Sequence, residues 1–92
     1  MKMPTTVKVG PFDYAVEASA LLDCLGETFC DELVIRLKLG MPRQTMEETF
    51  FHELFHAVNH VYCNRSLDEE EIRQMSIGLY QVLKDNGSLK EK

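Results

Sequence analysis

The chain has 92 residues, ten of them basic and fifteen acidic, for a net charge of −5. A length like that makes one domain, 1–92, with a modest core that a bound metal would help to pin. Scattered basic residues in an acidic chain exclude the concentrated positive surface that nucleic acid requires, and no stretch approaches the ~20 apolar residues of a membrane span.

Residues 1–40 read as short strands. "TTVKVG" alternates polar and apolar residues, and "PFDYAVEA" continues the alternation after Gly10-Pro11, so a hairpin is expected across that dipeptide. "ALLDCLGETF" has no clear period, and Gly26-Glu27-Thr28 is expected to turn the chain. "DELVIRLKLG" has a β-branched apolar centre and reads as a strand ending near Gly40. The stretch from Glu32 to Leu39 is either an ordinary sheet strand or an edge to which an extended peptide adds. The opening "MKMPTTVKVGPF" lacks the apolar run of a signal peptide. Cys24, Cys30 and Cys63 show no C-x-x-C spacing, which indicates reduced thiols in a cytoplasmic protein.

Pro42 marks the start of a helix expected from Arg43 to about Tyr62, a stretch free of Gly and Pro. At 100° per residue, Met46, Phe50, Phe51, Leu54, Ala57, Val58, Val61 and Tyr62 form a broad apolar arc. His52, His56, Asn59 and Cys63 fall opposite. "CNRSLD" is a short connection with turn chemistry. A second helix then opens at Ser66 or Asp68, and Asn86-Gly87 closes it. Glu69, Glu70 and Glu71 suit the positive end of its dipole. Ile72, Met75, Ser76, Leu79 and Leu83 are its expected packing face. The short connection makes the helices an antiparallel pair. The fold class is α+β, with short antiparallel strands packed on two antiparallel helices.

The chemistry sits in "FFHELFHAVNH", Phe50 to His60. His52 and His56 are four apart and share a helix face, with about 6 Å between their Cβ atoms. Two imidazoles so placed can take adjacent corners of a zinc tetrahedron. Glu53 lies about 100° round the helix, too far for a ligand in the same plane but placed to take a proton as general base. With this composition H-E-x-x-H arises by chance in roughly one chain in a hundred. The third ligand is expected from the acidic turn opening the second helix. Glu69 lies nearest the packing face by helical phase. Glu71 is on the flank but axially better placed, and Glu70 points away; both are alternatives to Glu69. His60, four residues beyond His56, is a less favoured ligand because its spacing strains the geometry.

The runs "TMEETFFHELFHAV" and "LDEEEIRQMSIGLYQVLKDNG" resemble the small zincin-type metallopeptidases of phages and mobile elements, relatives of the ImmA/IrrE and SprT-like groups. The resemblance covers roughly the C-terminal half, through His52, Glu53, His56, Ala57, Glu69 to Glu71 and Asp85-Asn86. It implies a minimal zincin-like domain and a zinc-dependent hydrolase acting on a protein or peptide substrate. The alternative is a non-catalytic phage accessory or interaction module in which zinc only pins the fold. Glu53 favours the enzyme, since a purely structural site has no use for a base there.

Overall fold

The computed structural model describes residues 1–89. The expected hairpin forms: β1 (Thr6–Val9) and β2 (Phe12–Ser19) pair antiparallel, with Val9 opposite Phe12. Gly10 takes φ +59° at the first position of the two-residue loop, a conformation that favours glycine, and Pro11 follows. A Cβ on Gly10 would lie 2.8 Å from the Val61 Cγ1, so the turn also packs closely against the helix described below.

The next segment differs from the sequence reading. Gly26-Glu27-Thr28 is not a turn but most of a strand, β3 (Gly26–Phe29). Its antiparallel partner is β4 (Val34–Lys38), and β4 also pairs in parallel with β2. The sheet order is β1-β2-β4-β3, so the pairing is mixed and not wholly antiparallel. The cause is the path after β2. The chain runs out to the far edge first and then returns between β2 and β3. β4 is therefore interior, with Ile35 and Leu37 buried. An edge strand over Glu32 to Leu39 is excluded, and the edge on that side is β3.

Two helices follow, α1 (Arg43–Tyr62) and α2 (Glu69–Asp85). α1 packs on the sheet through β1, β3 and β4, while α2 packs on α1 and not on the sheet. One core joins the layers: Val9, Tyr14, Ile35 and Leu37 meet Phe50, Phe51, Ala57 and Tyr80. Because α1 is covered on two sides, Glu47, Thr49, Glu53 and Asn59 are buried as well as its apolar residues. α2 has one neighbour, so only a narrow stripe of it is buried: Ile72, Ser76 and Tyr80, at intervals of four. Met75 and Leu79, expected in that face, are exposed, and so is Tyr62 from the expected arc of α1. No helix among the described residues is long and apolar enough to cross a membrane.

The α1–α2 contact contains a buried carboxylate. The Tyr80 hydroxyl donates to Glu47 Oε1 at 2.6 Å. The amino terminus and the Arg43 Nε reach Glu47 Oε2 at 3.1 and 3.5 Å. Burial pushes the Glu47 carboxyl up, but the Tyr80 hydroxyl and these cations outweigh it and hold the pKa below its ordinary value. A lowered carboxylate pKa adds stability at neutral pH that is lost as pH falls through the folded value. Glu47→Gln is therefore expected to lower stability at pH 7 by about 1–3 kcal/mol. Urea midpoints of wild type and variant should converge below the ordinary carboxylate pKa of about 4.3. A constant gap down to strong acid would contradict this.

Candidate metal centre

α1 presents His52 and His56 on the side facing the start of α2. Their rings meet edge to face with centroids 5.0 Å apart. Both turn Nε2 toward one carboxylate: His52 Nε2 is 2.6 Å from Glu69 Oε1, and His56 Nε2 is 3.0 Å from Glu69 Oε2. One donor atom from each of the three residues lies within 4.8 Å of the others. Two imidazole nitrogens and a carboxylate oxygen are a zinc donor set that leaves a fourth position open. Corners of a tetrahedron with ~2.05 Å bonds are about 3.4 Å apart, so zinc fits if the carboxylate withdraws slightly. The Glu69 side chain is 67% exposed and has room to do so.

Asn59 sets where α2 begins. It is buried, and its amide clamps Leu67 from both sides: Nδ2 donates to the Leu67 carbonyl and Oδ1 accepts from the Leu67 N–H, both at 3.1 Å. Its own carbonyl accepts from Cys63 N and Arg65 N. Asp68 then caps α2, accepting from Glu71 N at 2.8 Å while the Glu71 carboxylate accepts from Asp68 N at 2.9 Å. Glu69 is thus the first helical residue and points back at the histidines. The capping box occupies Glu71. Arg73 and Gln74 hold Glu70 on the outer side. His60 accepts a hydrogen bond from Arg65 at its Nδ1. None of these three joins the His52, His56 and Glu69 group.

Glu53 is buried beside the histidines and is not one of the converging donors. The Thr28 Oγ1 lies 2.8 Å from Glu53 Oε1 and 2.9 Å from the Glu53 carbonyl, so β3 fixes this side chain. Burial pushes its carboxyl above the ordinary value; the Thr28 hydroxyl and the His56 and His52 charges offset part of that rise. β3 reaches so close because residue 26 is glycine. A Cβ there would lie 2.7 Å from Thr49 Cγ2 and 3.0 Å from Glu53 Cγ. Together β3, α1 and the connection to α2 enclose an open cleft of about 750 Å³, with His52, Glu53, His56 and Glu69 in its wall.

The three cysteines are unpaired. The Cys24 thiol donates to Glu27, which pushes its pKa up and disfavours a reactive thiolate.

No protein-family model matches this chain, and neither a curated protein nor a solved structure matches it. Thr28 and Asn59 are the residues of this site that the sequence did not single out. For Asn59 a signal existed, because it continues the polar stripe of His52 and His56. For Thr28 there was none, since its place follows from β3 being a strand. A calorimetric titration with zinc should separate the acidic residues. Glu69→Ala is expected to weaken zinc by at least roughly tenfold, and Glu70→Ala or His60→Ala to leave it near wild type. Loss of affinity in His60→Ala alone would exclude the His/His/Glu donor set.

Proposed function

We propose that this protein is a zinc-dependent hydrolase of the metallopeptidase type, acting on a protein or peptide substrate. The observation that carries the reading is Glu53: a buried carboxylate, fixed by Thr28, beside the metal-donor group without belonging to it. A metal that only pinned the fold would have no use for it. Zinc, when bound, supplies Lewis acidity, acidifying water and polarising a carbonyl. His52, His56 and Glu69 would hold it.

The rest of the chemistry belongs to the chain. Glu53 accepts the proton of the attacking water and passes it to the leaving amine. Thr28 keeps Glu53 on one rotamer, so the base needs no reorientation during the reaction. The exposed edge of β3 lies along the cleft, and an extended peptide adding there would run past Glu53. The lining, with Glu27, Asp31 and Glu69, offers no positive track for a phosphate backbone, which argues for a peptide and against nucleic acid.

Glu53→Gln preserves size and a hydrogen bond to Thr28 but cannot take a proton. Burial raises the Glu53 pKa, so ionising it costs the fold stability, and its neutral replacement should not destabilise the fold. The variant is expected to bind zinc and melt near wild type while hydrolysis of an unfolded-protein panel falls by ~10²–10⁴. Cleavage at the wild-type rate by Glu53→Gln would rule the mechanism out. Zinc binding by wild type with no cleavage of any panel member would favour the structural-zinc module.

A further inference from the structure

Arg65 and His60 line the cleft and have no part in the chemistry above. Among the described residues Arg65 is the only Lys or Arg lining the cleft, whose walls otherwise carry Glu27, Asp31, Glu53 and Glu69. The other three arginines of the chain are engaged by carboxylates: Arg36 by Glu17, Arg43 by Glu47 and Arg73 by Glu70. Arg65 has no carboxylate partner among the described residues, in a chain with fifteen acidic side chains. Instead its Nε donates to His60 Nδ1 at 2.9 Å. That bond orients the guanidinium and leaves both terminal NH₂ groups for another acceptor.

The backbone beneath it is fixed as well. Asn64 and Arg65 sit at φ +51° and +60°, a conformation that costs a non-glycine residue on the order of 1 kcal/mol. The buried carbonyl of Asn59 holds the turn by accepting from Arg65 N at 3.0 Å. The same Asn59 side chain places Leu67, two residues before Glu69. The guanidinium is thus carried on the structure that carries the metal-donor group. His60 is one helical turn beyond His56, about 6 Å along α1. His60, which Arg65 contacts, is seven residues beyond Glu53, about 10.5 Å along α1, and an extended peptide advances about 3.4 Å per residue, so the pair stands roughly three residues from a bond attacked at Glu53.

We propose that Arg65, aimed by His60, is a carboxylate-recognition subsite of this cleft. The substrate it selects carries a carboxylate a few residues from the scissile bond, either an acidic side chain or the C-terminal carboxylate itself. A planar guanidinium with two free NH₂ groups matches a carboxylate by paired, charge-assisted hydrogen bonds. The inference rests on the zinc hydrolase reading and adds to it the charge of the substrate.

The test uses zinc-loaded protein and three peptide hydroxamates of one length, titrated by calorimetry. One carries glutamate with an amidated C-terminus, the second glutamine with a free C-terminus, and the third glutamine with an amidated C-terminus. A set with the glutamate moved along the peptide covers the unknown register. At least one charged probe is expected to bind about 10- to 100-fold tighter than the neutral one, the scale of a charged hydrogen-bonded pair. Tighter binding of the glutamate probe identifies a side-chain subsite, and of the free C-terminus a subsite for chain ends. Arg65→Gln should abolish the difference between probes, and Arg65→Gly, which suits the left-handed backbone, should abolish it too. His60→Ala should reduce it in part. Equal affinity for all probes at every register, or a preference that survives both Arg65 variants, would overturn the subsite. A zinc-loaded protein that bound none of the three would defeat the hydrolase reading and this inference with it.

Discussion

A helix covered by a sheet on one side and by a second helix on another has little fully solvated surface left for its charged residues. α1 is in that position, and the consequence is a set of buried polar groups that must each find a partner. Glu47 takes the Tyr80 hydroxyl, Thr49 donates to the Thr45 carbonyl, Glu53 takes Thr28, and Asn59 takes Leu67. Three of these four bonds leave α1 for another element. They fix α2, β3 and the interhelical connection relative to one helix. The metal-donor group, the neighbouring carboxylate and the cleft are consequences of those three attachments.

The legible part of this structure was the part governed by local periodicity. The glycine- and proline-free run gave α1, the capping residues gave the bounds of α2, and Gly10-Pro11 gave the hairpin. H-E-x-x-H placed two histidines and a glutamate on known sides of a helix. The choice among Glu69, Glu70 and Glu71 followed from helical phase, but the structural reason lies in the Asp68–Glu71 capping box, which fixes the first turn. What failed was non-local. "GETF" has no β-branched residue but Thr28 and begins with glycine, so it signals a turn. It is a strand because β4 offers it a partner and because Gly26 lets it lie against Thr49 and Glu53. The parallel pairing of β2 with β4 has no sequence signal at all. Met75 and Leu79 were misplaced because an apolar side chain on α2 is buried only where α1 reaches it.

The connection between the helices concentrates several constraints in few residues. Asn64 and Arg65 adopt left-handed backbone, Ser66 N donates to the Cys63 carbonyl, and Leu67 is clamped by Asn59. A loop held this firmly has little freedom to lose when something binds beside it. Its firmness has a source inside the helix and not in the loop's own sequence, which reads as an ordinary polar turn. That explains how His60 can look like a spare ligand in the sequence and yet serve another residue in the fold.

Glu53 faces two opposed requirements. Burial makes its carboxylate a stronger base, because the charged form is disfavoured and the proton is held more tightly. The same burial raises the cost of ionising that carboxylate. Thr28 eases the conflict by favouring the charged form, and so do His52 and His56. A dication held by His52, His56 and Glu69 would act in the same direction and with greater force. On the proposed hydrolase reading, the metal would thus lower the cost of ionising Glu53. On that reading, metal and base would be coupled through electrostatics. The strand that supplies Thr28 helps to set both how dry Glu53 is and how well its charge is satisfied.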